Sequence, residues 1–308
     1  YLYICFMSLN NPWQELSYGS WKDTLDSLHM KMQVAGKVKL ALSPFLNQWW
    51  NTALHLNAAG LTTGLISSGN IIFEINFDFT LHKCIIKTSG SKIIEIPLMQ
   101  CSVAEFYDEL MSSLAGLGIS VTINTLPAEV PEPVHCYEDN RNAYDKEYVS
   151  RWHQILLRSG IIFEKFRSSF RGKSSPVNFF WGSFDLSETR YSGKKAKPPE
   201  KGGRIMKYAE NEENFAVGFW PGSAAYPKPA YYSYLYPAPK GIENVSIEPQ
   251  FASFNPELGE FILDYEEVRK LADPEEMILD FLNSTYLESA TLAGWDISSL
   301  EADIPDKN

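Results

Sequence analysis

The chain has 308 residues, with 27 Lys or Arg against 38 Asp or Glu and a formal charge of −11 at neutral pH. This charge argues against a general nucleic-acid binder, which needs a basic footprint for the phosphates, and against docking on an anionic membrane. Hydrophobic residues make up 44% of the chain, which argues against disorder. No stretch approaches the ~20 apolar residues of a membrane-spanning helix.

Cysteine usage and missing motifs limit the chemistry further. The cysteines (Cys5, Cys84, Cys101 and Cys136) lie far apart without a CxxC pair, so neither a zinc site nor a disulfide framework is expected. Free cysteines at low density suit a reducing cytoplasm, where we place the protein. The chain has no GxGxxG after a strand, no HExxH and no GxSxG, and we expect neither a metal nor a cofactor.

The first predicted helix runs from Trp21 to Leu42, because its apolar residues recur three and four positions apart. Ser20 is the expected N-cap, with Asp23 reaching back in a capping box. Gly36 lies inside this helix at a cost of about 1 kcal/mol relative to Ala. That cost suggests close packing of another backbone or a ligand, although isolated glycines are also simply tolerated.

Residues 52–98 are predicted to form antiparallel strands. Apolar and polar side chains alternate between Ile71 and Phe79 and therefore point to opposite faces. Tight turns at Thr80-Leu81 and at residues 89–91 set the register. The expected pairs are Asp78–Lys83, Glu74–Lys87, Ile75–Ile86, Phe77–Cys84, Ile86–Ile94 and Cys84–Ile96. This register puts charged pairs on one face and apolar pairs on the other.

Caps, periodicity and turn residues predict the remaining elements. Ser102 and Glu105 form a capping box that opens a second helix, which ends near Gly116. A long helix runs from Asp145 to about Phe170. The later elements are strands at 121–126, 177–190, 215–220, 231–236 and 259–263, a mobile polar surface segment at 194–214, and a last helix from Pro274, capped by Asp273, to about Ala293.

The element order is helix, strands, helix, strand, helix, strands, helix. It predicts an α+β fold in which antiparallel sheets are covered by four main helices. We expect a single domain over residues 7–300, with possible halves at 13–126 and 145–296. Residues 1–6 read as an upstream extension before Met7, and residues 301–308 as a loose tail. The sequence leaves the oligomeric state open.

A strip on the first helix is one candidate site. Asp26, His29, Gln33 and Lys37 fall three and four residues apart. A histidine beside a carboxylate suits general acid–base chemistry, so His29 is a candidate general base, with Gln33 and Lys37 as candidate ligand contacts. The alternative is a solvated helix face, which the sequence favours.

The densest candidate cluster runs from Arg167 to Arg190. If residues 177–190 form one strand, Phe179, Trp181, Ser183 and Asp185 share a face, and small polar groups beside large aromatics are typical of a ligand pocket. Asp185 is the second candidate general base. The candidate ligand contacts are Arg167, Arg171, Lys173, Asn178, Trp181, Ser183 and Arg190. Alternatively, this is a core strand whose Ser183 and Asp185 bond to the backbone or to Arg190.

A third cluster of aromatic residues lies at 219–222 and 231–236. Trp220 and Tyr234 are candidate pocket walls, because such rings stack on planar or sugar ligands. The alternative is an ordinary antiparallel sheet, in which aromatic residues are preferred.

Several strings together resemble a bacterial family of unknown function, DUF 5996. They are WKDTLDSLHMKMQVAGKVKLALSP, SVAEFYDELM, GKSSPVNFFWGSFDL, GFWPG, ELGEFILDYEEVR and FLNSTY. The resemblance covers about Trp13 to Leu300 and implies a single domain that starts at Met7. It brings no activity, cofactor, partner or site role. The chain departs from the family pattern at Lys31-Met32, where Trp-Thr is expected, and at Asn178, where a histidine is expected.

Three hypotheses follow, in order of preference. The first is a cytoplasmic small-molecule binder whose pocket is walled by Trp181, Trp220 and Tyr234, with Arg167, Arg171 or Lys173 attracting an anionic ligand. The second is a metal-independent hydrolase or lyase that uses His29 or Asp185 as base. The third is a structural or interaction protein without a pocket, which would show an exposed apolar patch.

Overall fold

A computed structural model describes residues 11–302 of the chain. Its helices are α1 (Tyr18–Leu42), α2 (Val103–Gly116), α3 (Lys146–Ser168), α4 (Gly203–Ala209), α5 (Tyr265–Val268), α6 (Pro274–Leu292) and α7 (Ile297–Leu300). Its strands are β1 (His55–Asn57), β2 (Gly60–Thr62), β3 (Ile66–Ser68), β4 (Ile71–Asp78), β5 (Lys83–Thr88), β6 (Ile93–Pro97), β7 (Asn178–Phe180), β8 (Asp185–Lys195), β9 (Glu212–Trp220), β10 (Ala230–Tyr236), β11 (Ser253–Asn255) and β12 (Glu260–Asp264). These helices and antiparallel strands confirm the α+β class.

The strands form two antiparallel sheets. The first has the order β1-β2-β4-β5-β6, with β3 also paired to β4, and the second has the order β11-β12-β10-β9-β8-β7. Leu54 and Phe179 exchange backbone hydrogen bonds of 2.8 Å, so a single bridge just before β1 ties the first sheet to β7. None of the helices within residues 11–302 is both long enough and apolar enough to cross a lipid bilayer.

The predicted register of the first sheet is confirmed. All six expected pairs occur, including Glu74 opposite Lys87 and Cys84 opposite Ile96. The capping predictions also hold for α2 and α6, and Asp145, predicted as the start of the long helix, is the N-cap of α3. Ser102 and Glu105 form a reciprocal capping box on α2, and the side chains of Asp145 and Asp273 accept backbone N–H bonds at the starts of α3 and α6.

One buried apolar cluster spans both halves of the chain. It contains Trp21 of α1, Phe77 of the first sheet, Trp152 of α3 and Phe219 of the second sheet. Helices α3 and α6 pack against one face of the second sheet. The single-domain organisation stays a prediction, and the shared cluster favours it.

The start of α1 differs from the prediction. The helix begins at Tyr18, with Ser17 rather than Ser20 at the N-cap, and the Ser17 side chain makes no capping bond. The backbone N–H of Ser20 already donates to the Ser17 carbonyl at 3.0 Å. Tyr18 is buried in the core, and this packing extends the helix beyond the point that local capping signals indicate.

Three later predictions are also corrected. Residues 121–126 form no strand, because Val121 and Ile123 pack on the core from an irregular segment. Residues 177–190 are not one strand, since a turn at 181–184 separates β7 from β8 and Phe184 takes a left-handed φ of 62°. The 194–214 segment contains α4 and ends of two strands. The expectations for residues 1–6 and 303–308 lie outside the described residues.

Candidate functional site

A cavity of about 540 Å³ lies over the second sheet, on the face turned away from α3 and α6. Strand alternation decides this placement. Leu186, Val217 and Tyr231 point into the core, whereas Ser187 and Tyr232 line the cavity. The volume falls in the ordinary range of small-molecule sites, about 300–1,000 Å³.

Aromatic rings form much of the cavity floor. Trp220 of β9 stacks on Tyr232 of β10 at 5.1 Å between ring centroids, and Tyr232 lies nearly parallel to Tyr234 at 6.3 Å. Gly218 of β9 makes room for this arrangement. A Cβ at Gly218 would lie 2.3 Å from the Tyr232 ring, so a larger residue would displace the ring.

Carboxylates held by tyrosine hydroxyls lie on this floor. Asp185, at the start of β8, accepts hydrogen bonds from the Ser183 and Tyr232 hydroxyls. Glu210, just before β9, accepts from Asn214 Nδ2 at 2.6 Å and from the Tyr234 hydroxyl at 3.1 Å. Burial raises the pKa of both Asp185 and Glu210, and these hydrogen bonds oppose that rise.

A further carboxylate, Glu260 at the start of β12, is less well satisfied. Its Oε2 atom is buried and has no hydrogen-bond partner. Burial, with a contribution from the charge of Asp185, raises the pKa of Glu260 to about 7. Near neutral pH this side chain therefore exchanges a proton readily, and one of its oxygens is available to a donor from a ligand.

The charged residues of the cavity lining are mainly acidic. Asp185, Glu129, Glu210 and Glu260 contribute carboxylates, and Lys37 is the one Lys or Arg among the lining residues that the structure describes. The Lys37 ammonium lies 5.8 Å from the Trp181 ring, and burial lowers its pKa. The balance of charge in the cavity is therefore negative.

The α1 strip predicted from the sequence holds one wall of this cavity. His29 Nε2 lies 2.9 Å from the Trp181 carbonyl oxygen and 3.0 Å from that of Gly182, so it donates to the 181–184 turn. Gln33 is fully buried and clamps Ala128, donating to its carbonyl at 2.7 Å and accepting from its N–H at 2.8 Å. Next to this clamp, Glu129 reaches the cavity with a left-handed φ of 58°.

The turn and the clamp fit closely together. A Cβ at Gly182 would lie 2.0 Å from the Glu129 carboxylate, so a larger residue would push this carboxylate out of its position. Burial lowers the pKa of His29 to about 4, which keeps the ring neutral at physiological pH. Towards the Trp181 and Gly182 carbonyls, His29 therefore acts as a hydrogen-bond donor that fixes the turn.

The 194–214 segment borders the cavity as well. Ile205 and Met206 of α4 line it, and the Trp49 indole N–H donates to the Ile205 carbonyl at 2.9 Å. Asn211 exchanges side-chain hydrogen bonds with Asn47 at 2.8 and 3.1 Å. The segment is thus anchored to the turn that follows α1 and forms part of the cavity wall.

One known protein family matches this chain. A family model described as a family of unknown function (DUF5996) matches residues 13–302. The chain belongs to this family. The match confirms the resemblance read from the sequence strings and covers nearly every described residue. No curated protein and no solved structure matched the chain. Membership in DUF5996 therefore carries no activity, and the site itself must supply the functional argument.

The structure brings six of the predicted site residues of this family member to the cavity. These are Lys37, Trp181, Ser183, Asp185, Trp220 and Tyr234. His29 and Gln33 lie behind the wall and position it. Phe179 belongs to the core, since the turn at 181–184 breaks the strand on which it was expected to share a face with Asp185.

The predicted cations lie elsewhere. Arg167 Nε donates to Ser174 at 3.1 Å, and the Arg171 backbone N–H donates to the Leu300 carbonyl at 2.7 Å. Lys173 pairs with Glu212 at 2.6 Å and lies 4.4 Å from the Tyr191 ring, behind the lining. None of the three is among the cavity-lining residues.

Two further candidates are buried away from the cavity. Arg190 is on the core face of β8, where it donates to Ser169 Oγ at 3.1 Å and lies 3.3 Å from the Phe166 ring centroid. Asn178 is buried opposite Ser187, and neither atom of its amide has a hydrogen-bond partner. Asn178 is thus close to the cavity floor in register without lining it.

Sequence reasoning missed Glu129, Glu210 and Glu260, and it included Tyr232 in the third aromatic cluster without naming it as a cavity wall. A signal existed for Tyr232, because it shares strand parity with the predicted Tyr234. The three glutamates come from a loop, a helix end and a strand end that are distant in sequence. No local pattern could have joined them.

Among the described residues, no group of three or more His, Cys, Asp or Glu side chains could hold a metal ion. The cavity carboxylates are spread over the floor and rim, and two of them are already engaged by tyrosine hydroxyls. The arrangement is suited to binding donors and positive charge.

Proposed function

We propose that this protein binds a small organic cation in the cavity over its second sheet. The observation that carries the proposal is the lining, in which four carboxylates and an aromatic floor face one lysine. Carboxylates attract positive charge in a cavity of reduced dielectric constant, and aromatic faces add cation–π attraction of about 0.5–2 kcal/mol.

The proposal keeps the small-molecule role expected from the sequence, with a cationic ligand in place of the expected anionic one. The anionic ligand was inferred from Arg167, Arg171 and Lys173, which do not line the cavity. An anion would instead meet Asp185, Glu210 and Glu260, and like charges disfavour each other strongly in such surroundings. The concave, lined cavity also favours a ligand role over a purely structural one. A cytoplasmic location remains part of the proposal, supported by the free Cys84, Cys101 and Cys136.

The pH dependence of binding follows from Glu260. Its carboxylate must be ionised to attract a cation, and its pKa is about 7. Alkyl amines stay protonated across this range, since their pKa is near that of lysine, about 10.4. Binding should therefore strengthen as the pH rises through 7.

Isothermal titration calorimetry tests the proposal. The probes are butylamine, choline and butylguanidine, with butyrate and butanol as matched anionic and neutral compounds. We expect a heat of binding only from the three cationic probes, and we expect these probes to bind more tightly at about pH 8 than at about pH 6. The D185N variant should weaken binding roughly tenfold or more, because it removes a charge-assisted contact. Binding of butyrate in preference to butylamine would overturn the proposal.

A second candidate function is acid–base catalysis. The observation in its favour is the pKa of about 7 at Glu260, which suits a general acid or base near neutral pH. Asp185, a candidate base from the sequence, lines the same cavity, whereas His29 does not. Incubation with nitrophenyl esters and glycosides tests this role. Turnover that disappears in both D185N and E260Q would support catalysis. A protein that turns over none of these compounds would contradict catalysis and leave ligand binding as the proposed function.

A further inference from the structure

Two of the cavity carboxylates, Asp185 and Glu210, each accept a hydrogen bond from a tyrosine hydroxyl of β10. Tyr232 and Tyr234 are two residues apart on β10, and each donates its hydroxyl to a different carboxylate. Their rings lie nearly parallel, 13° apart in plane and 6.3 Å apart in centroid. The two rings thus present two separately hydrogen-bonded carboxylates at the cavity floor.

The backbone places these two carboxylates at opposite ends of a strand pair. The β8–β9 ladder runs from Leu186 opposite Phe219 to Lys195 opposite Glu212. Asp185 directly precedes the first pair, and Glu210 lies two residues before the last. Asp185 and Glu210 therefore reach Tyr232 and Tyr234 from opposite ends of this strand pair.

The carboxylates of Asp185 and Glu210 are both buried and held in place by hydrogen bonds. Asp185 and Glu210 are 6% and 4% exposed, and each accepts two side-chain hydrogen bonds that fix its orientation. Glu260, whose Oε2 has no partner, interacts electrostatically with both Asp185 and Tyr234. It therefore lies within reach of the region between these two carboxylates and offers an unused acceptor there.

We infer that the cavity recognises a ligand with two cationic nitrogen centres joined by an apolar linker, namely an aliphatic diamine or polyamine. One ammonium group binds at Asp185 and the other at Glu210, while the alkyl linker lies over the rings of Tyr232 and Tyr234. Each ammonium group carries three N–H donors, which suits carboxylate oxygens. This inference rests on the proposed cation-binding function and adds the requirement for a second charge.

Titration calorimetry of the full chain with matched pairs of probes tests the inference. The pairs are putrescine against butylamine and cadaverine against pentylamine, with spermidine as a longer polyamine. We expect each diamine to bind roughly tenfold or more tightly than its monoamine, because a second charge-assisted contact forms.

Variants locate the second point. E210Q should reduce putrescine affinity to the level of butylamine and weaken butylamine binding much less than putrescine binding, whereas D185N should weaken both. Y234F, which removes the hydroxyl that orients Glu210, should lower putrescine affinity by a smaller factor. E213Q is the matched control in the same segment, because Glu213 bonds to Ser192 outside the cavity lining.

The outcomes separate the two proposals. Equal affinity for putrescine and butylamine would overturn two-point recognition and leave cation binding intact. An E210Q variant that still distinguishes the two amines would place the second contact elsewhere and overturn the assignment to Glu210. Failure of every amine to bind the folded protein would remove both this inference and the proposed function.

Discussion

Gly36 of α1 lies directly against the indole of Trp181, so a Cβ at this position would be 2.4 Å from the ring. The Trp181 indole N–H donates to the Thr52 carbonyl at 2.9 Å, which fixes the ring from its other side. The glycine that the sequence singled out as costly inside a helix therefore permits one wall of the cavity to pack against α1.

This contact makes G36A a destabilising substitution although alanine is the better helix former. Overpacking of this kind costs about 1–3 kcal/mol, against a helix gain of about 1 kcal/mol. We expect the free energy of unfolding in urea to fall for G36A, and ligand binding to weaken as Trp181 shifts.

G19A is the matched control on the same helix, since a Cβ at Gly19 has no neighbour within 4 Å. It should raise the free energy of unfolding by up to about 1 kcal/mol. If G36A were as stabilising as G19A, the close packing of Trp181 on α1 would be wrong.

Ionised Glu260 lowers the free energy of unfolding, because burial in the cavity disfavours its charged form. Its pKa rises from 4.5 to about 7 on folding. The folded state therefore binds this proton more tightly, and the stabilisation present below pH 4.5 is lost as the pH rises through 7. At about pH 8, E260Q should be more stable than the native protein by roughly 1–2 kcal/mol, allowing for partial exposure.

Urea denaturation at several pH values measures this effect. The difference between E260Q and the native protein should shrink towards zero as the pH falls below 4.5, where the native side chain is protonated in both states. E257Q, on an exposed turn, is the surface control. A difference that does not change with pH would contradict a raised pKa at Glu260.

His29 shows the opposite pH dependence. Burial lowers its pKa from 6.5 to about 4, so the neutral ring stabilises the folded state above pH 6.5, and this contribution is lost as the pH falls through 4. H29L removes the donor shared by the Trp181 and Gly182 carbonyls, and leaving such groups unpaired costs about 1–3 kcal/mol.

The stability loss in H29L should therefore be larger at about pH 7.5 than at about pH 4.5, as measured by urea unfolding. Proton NMR of the His29 ring should show a titration midpoint near 4. A midpoint near 6.5 would mean that the ring is solvated and does not hold the turn.

The sequence by itself determined the local structure of this protein. The hairpin register from Asp78–Lys83 to Cys84–Ile96, the Ser102–Glu105 capping box and the α+β class all follow from alternation, caps and turns. These signals act between residues that are near one another in the chain, so they can be read without the fold. They also identified Trp181, Ser183 and Asp185 as a group, although the shared strand was wrong.

Only the tertiary structure decided what the cavity contains. Glu129, Asp185, Glu210 and Glu260 meet there because a loop clamped by α1, a helix end and two strands converge on one sheet face. The same packing turned Arg190 into the core and left Arg167, Arg171 and Lys173 outside the lining, which is why we propose a cationic ligand in place of an anionic one. Side-chain direction at a distant strand end depends on long-range packing, and no local periodicity encodes it.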